Sequence, residues 1–345
     1  MDYCETAAEK LPMREFDVAI VGGGTAGVVA AIAAARQGAR TALIEAKGYV
    51  GGLVVEGGTA LHSFYNLWKA FPGVEKRQVI KGIPQEIVDR LAAAGGTSGH
   101  AEMQKGYDYD SVCTAVDTEV YKLVAAEMLE EAGVQVCLNT FLTGTMTDGA
   151  WIEGLIAGSH AGREAIRASA FVDCTGYGDL AAHAGADYVE PNDYPVANSI
   201  GVGGVDVEGY HRFLESHDAV QHYCEGMRNG QEGQIVRLQA RPGNLPPEFN
   251  EEMRKIGMAS VITTTRDDYF MFLKLNYKMP ASPTDRDEAA KAELELRKRQ
   301  AKAIELLRKW VPGCEKAFIA RTSPSLCIRR GRLIDRKSTR LNSSH

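Results

Sequence analysis

From Phe16 to Val21 the chain is almost continuously apolar, from Val28 to Ala35 it is alanine-rich without a breaker, and from Thr41 to Ile44 it is apolar again. A buried strand, a helix and a second buried strand are predicted, because short apolar runs suit a parallel sheet and the intervening helix formers suit its crossover. Similar patterning recurs further on. KGIPQEIVDRLAAAGG predicts a helix with Pro84 near its first turn, Ile83, Ile87 and Leu91 on one face, and Gly95 and Gly96 as its stop. VDTEVYKLVAAEMLEEAGVQVCL predicts a helix capped by Asp117, with Val120, Leu123, Val124 and Met128 as its apolar face. Gly133 ends that helix, and Val134 to Leu138 are expected to join the parallel sheet.

Three β-like runs between Phe141 and Ser169, separated by DGA and HAGRE, predict an antiparallel meander. Ala170 to Asp173 is the next apolar run, which CTGYGDLAAHAG breaks before a short helix. Residues 97 to 116 are polar, aromatic and irregular, a solvated connection or a lid carrying Tyr107 and Tyr109. From about Tyr188 a mixed segment begins, and within it Asp285 to Trp310 predicts a long charged helix with a solvated face, ended by Val311, Pro312 and Gly313.

The first strand–helix junction carries the most informative chemistry. Gly22, Gly24 and Gly27 form G-x-G-x-x-G between strand and helix. Gly22 permits the tight exit, Gly24 lets backbone approach a pyrophosphate, and Gly27 lets the helix pack closely on the sheet. Thr25 and Ala26 open a helix whose first amides and dipole favour an anion. Glu45 follows Gly27 by 18 residues, close to the roughly 20-residue offset at which an acid meets a ribose hydroxyl pair. A 2′-phosphate would be repelled there. A second glycine-dense run, AKGYVGGLVVEGGTALHSFYN, follows immediately. Gly51, Gly52, Gly57 and Gly58 suit a loop wrapping a cofactor longer than NAD, and a plain surface loop is the alternative.

These segments, with FVDCTGYGDLAAHAGADY, resemble in order and spacing the bacterial FAD-dependent oxidoreductase family of the glutathione-reductase-like superfamily, over roughly Asp17 to Asp335. The resemblance implies an α/β fold: a Rossmann-like FAD-binding domain with a parallel sheet and a crossover β-meander, spanning 15–187, plus an inserted α+β substrate or cap domain spanning 188–335. It implies non-covalent FAD with Gly22, Gly24 and Gly27 at the pyrophosphate, Glu45 at the ribose, and Gly51 and Gly52 further along the phosphates. It also implies that Thr175 and Gly176 approach the dinucleotide while Asp179 caps a helix beside it. The superfamily's C-terminal return to the nucleotide domain is not recognisable in the sequence. Residues 336–345 read as a non-native tail, so a C-terminally truncated chain is expected.

Seven cysteines include no C-x-x-C pair and no cluster, which disfavours dithiol reductase and iron–sulfur chemistry. Cys137 and Cys174 read as small core residues. A formal charge of −6 argues against a nucleic-acid partner, and no apolar run approaches the roughly 20 residues of a membrane span. The first residues lack the apolar core of a signal peptide, so a cytoplasmic location is expected. His100, His160, His183, His211, His217 and His222 lack ligand spacing, and no metal is assigned. His62, after the second glycine run, is a candidate proton acceptor or substrate contact. Arg329, Arg330 and Arg332, in SLCIRRGRLI, are candidates for binding an anionic substrate or the flavin edge, with plain surface charge as the alternative.

The leading expectation is an FAD-dependent oxidoreductase moving a hydride between a small organic substrate and flavin N5. A flavin-binding module or inactive fragment without turnover is the second reading, and an NAD-dependent dehydrogenase the third. No second nicotinamide fingerprint is present, which disfavours a separate NADPH domain.

Overall fold

The opening apolar run forms a strand, Met13–Val21, that begins three residues before the apolar pattern does. The structure is a computed structural model and describes residues 10–57, 78–106, 112–190, 194–328 and 331–334. The helix Thr25–Arg36 follows the glycine turn, and the strand Thr41–Ile44 returns parallel to the first, pairing Val18 with Thr41 and Val21 with Ile44. The helix buries Gly27, Val28, Ala31 and Ile32, the side facing the sheet.

The chain forms two units, each described by itself. The first comprises Met1–Val50, Met128–Val189 and Arg332–His345. Its main sheet has six strands in the order Gln135–Cys137, Thr41–Ile44, Met13–Val21, Gly162–Asp173, Trp151–Ser159, Phe141–Asp148. The first four are parallel, and the last two extend the sheet as an antiparallel meander. The core beneath it is Ala19, Val21, Ala42, Ile44, Leu155, Ile166 and Leu180.

The meander differs from its prediction in one respect. Its third run and the apolar run Ala170 to Asp173 are a single 12-residue strand, Gly162–Asp173. That strand pairs antiparallel with Trp151–Ser159 on one side and parallel with Met13–Val21 on the other. No glycine, proline, asparagine or aspartate interrupts residues 163–172, and Ser169 alone does not end the strand where the pattern changes from alternating to apolar.

The second unit comprises Gly51–Glu127 and Glu190–Gly331. Residues 51–127, which the sequence groups with the segment 15–187, belong to this unit by their packing. Its main sheet is antiparallel, in the order Phe318–Thr322, Tyr194–Gly203, Tyr269–Met279, Met258–Thr263, Gln231–Ala240, Val220–Arg228, Ala101–Lys105, Val112–Cys113. Residues 97–116 therefore supply two strands rather than only a connection, with Tyr107 and Tyr109 outside the described residues.

The charged segment predicted from Asp285 is the helix Arg286–Trp310, and Asp285 caps it by accepting from the amides of Asp287 and Glu288. It is amphipathic, burying Ala292, Leu296, Ala303, Ile304 and Leu307 in a core with Ile200, Leu238, Phe249 and Phe270. Each large aliphatic side chain so buried contributes roughly 1.5–3 kcal/mol relative to exposure. In the helix Thr118–Glu131, Asp117 caps as expected, accepting from Glu119 N at 2.9 Å. Its buried face is Tyr121, Val124, Ala125, Met128 and Leu129; Leu123, predicted to face the core, is 57% exposed.

Candidate cofactor site

In the first unit, neighbouring parallel strands end at Cys137, Ile44, Val21 and Asp173, the edge at which ligands bind in open α/β sheets. The backbone links these ends. Gly22 N donates to Ile44 O at 2.8 Å, Cys174 N to Val21 O at 2.7 Å, and Glu45 N to Cys137 O at 2.9 Å.

The glycine requirement of the first turn is steric. At Gly27 a Cβ would lie 1.8 Å from Gly22 O, and at Gly22, where φ is +97°, it would lie 2.4 Å from Cys174 O and 2.7 Å from Thr175 Cα. No side chain fits either position, so turn, helix and second return close on one another. Gly24 is the N-cap of the helix in extended conformation, with no side chain to cap the first amides, and the first turn carries no acidic residue. Thr25 is half-buried and Ala26 exposed beside it. An uncapped helix start with the positive end of its dipole suits a pyrophosphate.

Glu45 lies against this turn. The residue is 8% exposed and its carboxylate accepts from Gly23 N at 2.6 Å and Lys47 N at 2.8 Å, so backbone amides orient a buried acid beside the glycines. Gly23, the middle residue of the GGG run, is a participant that the motif reading overlooks; a Cβ there would reach within 3.0 Å of Glu45 Oε2.

The second return, Asp173 to Asp179, is held by side chains. Asp173 Oδ1 accepts from Thr175 N at 3.0 Å and Thr175 Oγ1 at 2.7 Å, while its Oδ2 accepts from Ala181 N at 3.0 Å. Thr175 Oγ1 in turn accepts from Asp179 N at 3.0 Å. Asp179 is therefore not the helix cap that the sequence suggests. It is the first residue of the helix Asp179–His183, Gly178 at φ +70° is the N-cap, and Thr175 and Asp173 satisfy the helix amides. The D-x-T spacing of Asp173 and Thr175, typical of a side-chain-closed turn, is the signal that could have revealed this. Gly176, at φ +74°, is exempt from the strain any side chain would bring there. Burial, then the adjacent Asp173 carboxylate, pushes the Cys174 thiol up from its ordinary value, which disfavours its thiolate.

Arg332 reaches this turn from the far end of the chain. Its Nη1 lies 2.6 Å from Asp179 Oδ1 and 3.3 Å from Tyr177 O, its backbone N donates to Tyr177 O at 3.2 Å, and its guanidinium stands 5.1 Å from the Tyr188 ring centre. Leu333 and Ile334 then pair with Val189 and Tyr188. Residues 331–334 thus lie against the second return turn through a two-residue pairing that the sequence does not predict. Two residues of strand and one ion pair leave no periodic signal.

Gly51 and Gly52 lie in the second unit, at the start of the 3-10 turn Gly52–Val54. Both have positive φ, and Gly51 packs so closely on Tyr121 that a Cβ would lie 2.9 Å from its ring. His62, Arg329, Arg330 and Gly58 lie outside the described residues. Among the described residues no cluster of His, Cys, Asp and Glu could hold a metal ion, every cysteine is free, and no helix is long and apolar enough to cross a membrane.

Part of the chain is similar to the thiamine thiazole synthase of Pyrococcus horikoshii, 30% identical over 169 residues covering 48% of this chain and 58% of that protein. The thiamine thiazole synthase of Pyrococcus abyssi is 28% identical over the same span, so the chain covers little more than half the length of these curated relatives. Among solved structures, the myxobacterial chondrochloren halogenase CndH, a variant of FAD-dependent halogenases, superposes with a TM-score of 0.52 at 14% identity, covering 92% of this chain and 64% of that one. That likeness is one of fold. The FAD dependent oxidoreductase family matches residues 17–339, so the chain belongs to that family of FAD-dependent enzymes, and its cofactor is FAD.

Proposed function

We propose that the adenosine half of FAD binds the first unit, with its pyrophosphate at Gly22, Gly24, Thr25, Ala26 and Gly27 and its ribose hydroxyls on Glu45. Thr175 and Gly176 form the adjoining wall, with Asp179 behind it. The observation carrying this reading is the 2.6 Å hydrogen bond from Gly23 N to Glu45 Oε2, which couples a buried acceptor to the glycine turn. The residues fit the cofactor chemically: an uncapped helix start suits the diphosphate, and a carboxylate suits a hydroxyl pair.

When bound, FAD supplies a ring that exchanges a hydride at N5, while the chain supplies binding and positioning. The reaction we propose is hydride transfer between a small organic substrate and that ring. His62, Arg329 and Arg330 remain its candidate substrate-side groups. Purified protein should show oxidised-flavin absorbance, and anaerobic addition of reduced organic substrates should bleach it. A flavin that no substrate bleaches, while dithionite does, would instead favour a binding module without turnover.

A further inference from the structure

We propose that Arg332 is a positioning residue for the dinucleotide site, clamping the second return turn from 153 residues away in sequence. This rests on the proposed placement of FAD against Thr175 and Gly176. Arg332 was a candidate for holding an anionic substrate, but its guanidinium is already engaged. Asp179 Oδ1, at 2.6 Å, and Tyr177 O, at 3.3 Å, share Nη1, and the Tyr188 ring lies alongside. The Arg332 side chain is 17% exposed and that of Asp179 40%, so the pair is partly shielded from water and salt.

The position of the pair explains what it does. Asp173 and Thr175 hold the backbone amides along the turn, those of Thr175, Tyr177, Asp179 and Ala181, and Asp173 also accepts from Thr175 Oγ1. None of these bonds fixes the carbonyl of Tyr177 or the side chain of Asp179. Arg332 takes both, donating to Tyr177 O from backbone and side chain and pairing with the Asp179 carboxylate. Ile334, two residues on, packs over Gly178, where an added Cβ would sit 3.1 Å from Ile334 Cδ1. The turn is thereby held through its amides by Asp173 and Thr175 and through the Tyr177 carbonyl and the Asp179 carboxylate by Arg332. Its front, at Thr175, abuts Gly22 of the first turn, where a Gly22 Cβ would come within 2.7 Å of Thr175 Cα. Freedom at residues 177–179 would transmit to Thr175 and Gly176, the wall proposed to face the dinucleotide. A pre-held wall binds without ordering at the moment of association, and that ordering cost is what the clamp removes.

The test is FAD affinity of the apoprotein of this 345-residue chain, measured by quenching of flavin fluorescence, in Arg332→Ala, Arg332→Lys, Asp179→Asn, the double variant Arg332→Ala/Asp179→Asn, Leu333→Ala and Glu45→Ala. A partly shielded charge-assisted pair predicts that Arg332→Ala and Asp179→Asn each raise Kd about three- to tenfold. The double variant should raise it no further than the larger single effect, and Arg332→Lys should recover most of the affinity. Leu333→Ala, which trims the exposed ladder beside the clamp, should leave Kd within about twofold. Asp179→Asn preserves side-chain shape, so it carries the test if Arg332→Ala does not fold. Single-variant effects that add in the double variant, or unchanged affinity in Arg332→Ala and Asp179→Asn while Glu45→Ala loses it, would overturn the clamp. Unchanged affinity in Glu45→Ala would overturn the cofactor placement itself, and the clamp with it.

Discussion

The turn after the first parallel strand and the turn after the last meet where Gly22 abuts Cys174 and Thr175, yet they are held by different means. The first depends on missing side chains: at Gly22 and Gly27 any Cβ would drive into backbone carbonyls. The second depends on side chains present, with Asp173 and Thr175 binding its amides and Arg332 binding the Tyr177 carbonyl and the Asp179 carboxylate. A site held by excluded volume tolerates no small change. One held by several polar contacts should lose function in steps, because each contact contributes separately. The difference predicts a ranking of mutational effects, and departures from that ranking would break the comparison.

The largest effect is expected at Gly27→Ala. Its Cβ would lie 1.8 Å from Gly22 O, and backbone cannot yield as a flexible side chain can. We expect a loss of about 3 kcal/mol or more, with no FAD retained on gel filtration. A soluble, yellow Gly27→Ala protein would show that the first turn has slack and would remove the contrast. Next comes Asp173→Asn, which keeps an acceptor for Thr175 but turns an amide N–H₂ towards Ala181 N, the donor Oδ2 now accepts. Denaturant unfolding should register a loss of about 1 kcal/mol, typical of a lost helix-capping contact, with weakened FAD retention. An effect as large as that of Gly27→Ala would place both turns in the same class.

These rankings also show what the sequence carries. The first turn was legible because its information is local: three glycines, a helix start and an acid 18 residues later all lie within one strand–helix–strand unit. Gly23 is not legible because its contribution is a backbone amide, which every residue type except proline possesses. At the second turn the glycine-broken helix start is legible, but the sequence places Asp179 as the cap where the structure has Gly178. An acid before a helical run has the same pattern whether it caps the helix or begins it, and only the acceptor Oγ1 of Thr175 distinguishes the two. The link through Arg332 was not legible. It consists of two paired residues and a contact spanning 153 positions, and neither produces a hydrophobic period. The 12-residue strand Gly162–Asp173 reads as two because its side-chain pattern changes along its length, as do its pairing partners, from the meander to the parallel sheet.

Smaller effects sharpen the contrast. Cys174 sits between the turns, and its thiol is pushed up by burial and by Asp173, so it should alkylate more slowly near neutral pH than the same thiol in unfolded protein. Because its folded value is raised, it favours the folded state at lower pH, and that contribution is lost as pH rises through the folded value. Mass spectrometry after timed iodoacetamide treatment reads the labelling rate, and labelling as fast as in the unfolded chain would contradict the packing between the turns. The smallest effect belongs to Leu333→Ala, a 42% exposed position whose loss should change stability by less than about 0.5 kcal/mol.

The central claim is that Glu45, anchored to the glycine turn through Gly23 N, receives the ribose of FAD. The most direct measurement is the FAD dissociation constant of Glu45→Ala, read by flavin fluorescence in protein whose circular dichroism confirms that it is folded. Loss of a charge-assisted acceptor predicts a Kd raised about tenfold or more, equivalent to roughly 1.4 kcal/mol. A folded Glu45→Ala protein that binds FAD as tightly as the unaltered chain would contradict the account.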